Sequence, residues 1–114
     1  MTVTERMVEI FREVFPEFTL CAGQYGGGAD RYAVYNERYI GTAFADDQPG
    51  ADRVLFDVVV RAPKTDKLRR QLNQFRNALV KDDFTWPELE AGGDALSQQW
   101  LLVFEGWEDI EWPS

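Results

Sequence analysis

The sequence predicts an α+β domain with a mainly antiparallel sheet and two helices packed on one face. Three patterns carry that prediction. Val54, Phe56, Val58 and Val60 alternate with Arg53, Asp57 and Arg61, the period-two signature of a strand. From Thr65 the apolar residues Leu68, Leu72, Phe75 and Leu79 fall along one helical face. Trp100–Glu105, WLLVFE, is apolar on both faces, as befits a strand inside a sheet or one that meets a partner.

Taken in order, Thr2–Phe15 reads as a helix with Val3, Met7, Ile10, Phe11 and Val14 on its apolar face. Thr2 and Glu5 have the spacing of a capping box, and Pro16 ends the helix. Phe18–Ala22 is a short strand. Gln24–Asp30, QYGGGAD, is a loop because three glycines in a row offer no side chains to pack. Arg31–Asn36 and Tyr39–Ala45 read as two short strands, joined as a hairpin or broken by a bulge near Gly41. Asp46–Asp52, DDQPGAD, is a turn centred on Pro49-Gly50. The strand Arg53–Arg61 follows, and Pro63 ends it. Thr65 is the expected N-cap of the second helix, since its hydroxyl can accept a bond from a first-turn amide. After Lys81 come an extended segment Phe84–Trp86 stopped by Pro87, a turn at Glu90–Ala95, EAGGDA, and the terminal strand from Trp100 toward Ile110. In that strand Trp100, Leu102 and Phe104 point one way and Leu101, Val103 and Trp107 the other. The helix-free sheet face would then carry Leu55, Val59, Leu101, Val103 and Trp107, an apolar surface that calls for a partner if it is contiguous.

The 114 residues suit one domain, 1–114. A chain of this size hides roughly 60–70% of the surface that its unfolded form exposes, enough for a core without disulfides. One cysteine, Cys21, fits a reducing compartment. No apolar run approaches the roughly 20 residues needed to span a bilayer, and the N-terminus lacks a signal-peptide layout. A soluble cytoplasmic protein with no membrane role is expected. The net charge of −8 is unevenly spread. Residues 82–114 hold nine acids and no base, a net of −9, and the rest holds 12 bases against 11 acids. Within Arg53–Lys81 eight bases face two acids, a local +6. An acidic chain releases no phosphate counterions on balance, so nucleic-acid binding is not expected. The two charged regions can pair between copies of the chain, or they can neutralise each other inside one subunit as neighbouring strands.

Catalytic chemistry finds little material. The absence of histidine removes the commonest general base and metal ligand, and with it Ser-His-Asp and Cys-His nucleophile pairs. A lone cysteine makes no zinc site. Gly26–Gly28 is not a phosphate loop, because no Lys-Ser/Thr follows it. Asp46/Asp47 and Asp82/Asp83 are adjacent acids of the kind that can hold a hard cation, but they lack the ligand spacing of a calcium loop and read as solvated turns or caps. Arg69-Arg70 reads as the exposed side of an amphipathic helix rather than a phosphate contact. Trp86, Trp100, Trp107 and Trp112 all lie in the acidic third; Trp100 reads as core, and Trp107 and Trp112 suit an interface as well as a core. No catalytic residue, cofactor or metal is predicted.

The order FADDQPGADR (Phe44–Arg53), DVVVRAP (Asp57–Pro63), LRRQL (Leu68–Leu72), FTWPELE (Phe84–Glu90) and LLVFE (Leu101–Glu105) resembles small proteins from the structural-gene clusters of tailed bacteriophages and prophages. These are minor structural proteins of the tail completion, or tail terminator, type. The resemblance runs from Tyr32 to Glu105, and FTWPE and the FAD-x-x-P turn are its most specific parts. It implies a non-enzymatic subunit of a ring, commonly sixfold, that ends tail-tube growth and joins tail to head. Its partners would be further copies, tail-tube proteins and head–tail connector proteins, and it would pass from the host cytoplasm into the virion. Asp46, Asp47 and Asp52 in the turn, Arg69, Arg70 and Arg76 on the second helix, and Trp86, Pro87 and Trp107 are the expected contact residues. A rival from composition alone is a monomeric acidic binding module, a DNA mimic or inhibitor, against which the +6 segment argues. A carboxylate-only enzyme is the remaining class.

Overall fold

The computed structural model describes residues 2–40 and 51–109. Helix α1 (Val3–Val14) opens on the expected capping box: the Thr2 hydroxyl accepts from the Glu5 amide, and the Glu5 carboxylate accepts from the Thr2 amide. Val3, Met7 and Phe11 are buried along one side, and Phe15 follows at the C-cap, one residue before Pro16. Strand β1 (Thr19–Ala22) comes next. In the glycine-rich loop that follows, Tyr25 stacks on Tyr32 at 4.5 Å and its hydroxyl accepts from the Ala29 amide at 2.9 Å.

Strand β2 is one continuous element, Tyr32–Ile40, where the sequence suggested two short strands. Its pairing with β3 (Ala51–Pro63) is unbroken from Tyr32↔Arg61 to Ile40↔Arg53, so residues 36–39 have no reason to turn. Any bulge at Gly41 lies outside the described residues. Helix α2 spans Arg69–Lys81 and not the longer stretch expected from Thr65. Thr65 does not cap it. Leu68 holds the cap position with no side-chain bond, and the Asp66 amide instead bonds back to the Pro63 carbonyl in a turn. The helical face itself is as predicted, with Leu68, Leu72, Phe75 and Leu79 buried.

The expected turn at EAGGDA also differs. Glu88–Gly93 is strand β4, paired with β5 (Ser97–Asp109) from Glu88↔Val103 to Gly93↔Gln98. Only Asp94–Leu96 remains for the turn, closed by the Asp94 amide on the Ser97 carbonyl. Gly93 is required there: its φ is +121°, and a Cβ would strike the Ser97 carbonyl oxygen.

The five strands form one sheet in the order β1-β2-β3-β5-β4, with β1 parallel to β2 and every other pair antiparallel. Both helices cover the face that carries Val54, Phe56, Val58, Val60, Leu102 and Phe104, which makes this the predicted α+β fold. The core between the layers is aromatic. Phe75 meets Phe11 at 5.4 Å and Phe104 at 6.1 Å edge-on, and Phe56 stacks on Phe104 at 5.4 Å. Such pairs add about 0.5–1.5 kcal/mol each beyond the area they bury. No polar or charged side chain is buried among the described residues.

Candidate interaction surfaces

The face of the sheet away from the helices has no covering layer among the described residues. The strand registers set its side chains in rows across the strands. One row runs Cys21, Val34, Val59, Leu101 and Glu90. Below it come Asn36, Asp57, Val103 and Glu88, then Arg38, Leu55 and Glu105, and last Ile40, Arg53 and Trp107. Val103 and Trp107 are 38% and 41% exposed. This is the apolar face foreseen in the alternation of β3 and β5. It is also crossed by charge, with Arg38 and Arg53 on β2 and β3 and Glu88, Glu90 and Glu105 on β4 and β5. A shallow depression lies on this face between Asn36, Arg38, Leu55, Asp57 and Val103.

Part of the bipolar charge is neutralised within the chain. Arg53 lies 3.7 Å from Glu105 on the neighbouring strand, and Arg61 lies 3.3 Å from Asp94. Arg6 reaches Asp82 at 3.5 Å. At 3.7 Å the Arg53 Nε is too far from Glu105 to hydrogen-bond, and this buried atom has no hydrogen-bond partner among the described residues. The Asp94 carboxylate is held below its usual pKa, first by the Leu96 and Ser97 amides that donate to it at 2.9 Å and then by Arg61 and Lys64.

A second polar lock joins the β1–β2 loop to the β3–α2 connection. Arg31 donates through Nε at 2.6 Å and through a terminal nitrogen at 2.9 Å to the two oxygens of Asp66. This fork depresses the Asp66 carboxyl and raises the Arg31 guanidinium. Gln98 on β5 closes the same corner by donating to the Pro63 and Asp66 carbonyls at 2.8 and 2.6 Å, and its own carbonyl accepts from the Trp100 indole.

The expected contact residues fall into separate groups. Asp46 and Asp47 lie outside the described residues. Asp52 is in β3, paired with Glu108. Arg69 and Arg70 are exposed on the first turn of α2. Arg76, Trp86 and Pro87 are brought together within the chain: the Arg76 guanidinium sits over the Trp86 ring at 4.3 Å, and its Nε donates to the Pro87 carbonyl at 3.1 Å. Pro87 is buried, while Trp86 keeps 49% of its surface exposed. Trp107 stands on the uncovered sheet face.

Sequence reasoning did not find the strand edges. Among the described residues, β2 has no partner on its outer side beyond Tyr35, and β5 has no β4 alongside it beyond Val103. The Tyr35 carbonyl points outward and accepts from Gly23, so the backbone groups of Glu37 and Tyr39, two and four residues on, also point outward. On β5 the Glu105 carbonyl and amide are taken by the Thr85 amide and hydroxyl at 2.9 Å, which leaves Trp107 as the next outward residue. Tyr39 is 48% exposed. Its phenol is pushed up, first by burial and then by Glu108 and Glu37, although the Thr4 hydroxyl acts the other way. Glu37 accepts from Thr4. A continuous β2 would have revealed this edge, but the Asn36–Arg38 run reads locally as a turn.

No helix of the described residues is long and apolar enough to cross a membrane, and no group of three or more potential metal ligands occurs among them. No protein-family model matches the chain, and no curated protein does. A solved structure named only by a sequence identifier matches with a TM-score of 0.55 at 11% identity, over 97% of this chain and 98% of that one, so the likeness is one of fold alone.

Proposed function

We propose that this chain is a non-enzymatic structural subunit of a tailed phage or prophage, of the tail completion or tail terminator type. It assembles as a ring at the head-proximal end of the tail and bridges tail-tube and connector proteins. It is made in the host cytoplasm and ends in the virion. The observation that best supports this reading is the uncovered sheet face bearing Val103 and Trp107, which a lone subunit would leave in water. The FTWPE and DVVVRAP runs, whose resemblance points to the class, fall on the approach to β4 and on β3.

The test is coexpression with the products of the adjacent genes, followed by electron microscopy of the tails and light scattering of the purified chain. Tails capped at one end by this chain are expected. A strict monomer that never joins a tail or neck would sink the reading.

Glu88 and Glu90, both exposed along the β4 strand beside the acidic β5, favour a second reading as an acidic binding module. A pull-down that recovers a DNA-binding enzyme and no virion component would select it.

A further inference from the structure

We propose that the open edge of β5 at Trp107 in one copy adds to the open edge of β2 at Glu37–Tyr39 in the next, so that one sheet runs on from subunit to subunit. The inference rests on the ring reading and specifies its joint. Three independent features carry it.

The first is backbone valence. The outward N–H and C=O groups of Glu37, Tyr39 and Trp107 find no backbone partner among the described residues, and all lie at the same end of the sheet. A bare strand edge is a template for another strand.

The second is direction. β2 and β5 are both antiparallel to β3 and therefore run the same way. Joining β5 of one copy to β2 of an identically oriented copy makes a parallel pair between two different surfaces. Each copy then keeps its other edge for a further neighbour, the arrangement that closes into rings. Two β5 edges meeting about a two-fold axis would stop at a dimer.

The third is charge. Strands β4 and β5 carry acids and no base, with Glu88, Glu90, Glu105 and Glu108 among them. A β5–β5 joint would set these acids against their own copies. The β2 edge instead offers Arg38 on the same sheet face as Glu105 and Trp107, while Glu37 lies on the helix side and is engaged by Thr4. In the β5–β2 joint, Trp107 comes beside Arg38 or Ile40 of the neighbour, and Glu105 lies within reach of Arg38. The acids of β5 thus disfavour like-to-like stacking of that edge, whereas Arg38 on β2 complements it.

The test uses the full chain with Cys21→Ser, carrying Trp107→Cys together with Arg38→Cys, or with Ile40→Cys for the alternative register. Neighbouring strands place such pairs close enough for a disulfide. Within one chain β3 separates positions 38 and 107, so any bond formed joins two copies. Tails assembled with the double variant are oxidised mildly and run on a non-reducing gel. The expected result is a ladder of covalent multimers that ends at the ring number, collapses on reduction and is missing from each single-cysteine variant. Tails that contain the variant but give no ladder in either register would overturn the joint and leave the ring reading standing. A ladder from protein that never joins tails would keep the joint and discard the tail assignment. Protein that gives neither overturns both.

Discussion

Where Arg61 lies beside Gln99, the sheet is five strands wide, and the loops around it are tied by the Arg31–Asp66 fork, by Gln98 and by the Asp94 turn. Where Arg53 lies beside Trp107, it is three strands wide, and both outer strands are bare on their outer sides among the described residues. One end satisfies its polar groups inside the chain; at the other, the outward backbone groups of Glu37, Tyr39 and Trp107 have no backbone partner among the described residues. The helix layer crosses both ends, with Phe84 and Val3 packed over Gly106 at the narrow one. The difference therefore lies in the edges and not in the packing.

The largest expected effect tests that last point. Phe104, stacked on Phe56 and edge-on to Phe75 and Phe84, lies on the narrow side of the sheet. Phe104→Ala should cost about 3–5 kcal/mol in urea unfolding. A loss under about 1 kcal/mol would mean that the narrow end is loosely packed. Next come two glycines. A Cβ at Gly106 would lie 2.7–2.8 Å from the Phe84 ring and Val3, whereas one at Gly92 on the wide end meets nothing nearer than 3.9 Å. Gly106→Ala should destabilise by about 1–3 kcal/mol, and Gly92→Ala should be close to neutral.

Acid separates the ends more gently. The Asp66 and Asp94 carboxyls titrate below their unfolded values, so the stability they contribute is complete above about pH 3.9 and disappears as pH falls through their folded pKa values. Asp66→Asn with Asp94→Asn should flatten the acid limb of a melting-temperature profile. The smallest effect on folding belongs to Arg38→Glu, an exposed change worth under about 0.5 kcal/mol by thermal melting. The same substitution should sharply reduce incorporation into tails. Equal incorporation would argue that the narrow end is merely unfinished.

Periodicity carried the prediction wherever one face of an element is buried. The Val54–Val60 alternation, the Leu72–Leu79 face and the Thr2–Glu5 cap each record a local contact, and each is present in the structure. The departures are places where the deciding partner is remote. Gly92 and Gly93 look like a turn until Gln99 and Gln98 are set opposite them. Asn36–Arg38 looks like a break until Asp57 and Leu55 extend the ladder beneath it. Thr65 has the chemistry of a cap, but the neighbouring Asp66 is drawn to Arg31, and the chain starts its helix after Leu68. The contact residues named from sequence were harder to place for the same reason: nothing local says that Arg76 will lie over Trp86 or that Trp107 will end on an unpaired edge.

The two central strands, β3 and β5, pair residues as remote as Ala51 and Asp109, with α2 and β4 between them in the chain. A ribosome that has released β3 has therefore delivered half of a ladder whose other half does not yet exist. Until β5 emerges, Val54, Phe56, Val58 and Val60 have no strand to complete their layer. Refolding should accordingly run on the millisecond-to-second scale of non-local sheets rather than the microseconds of helical bundles. During synthesis the nascent β3 is the segment most in need of a chaperone.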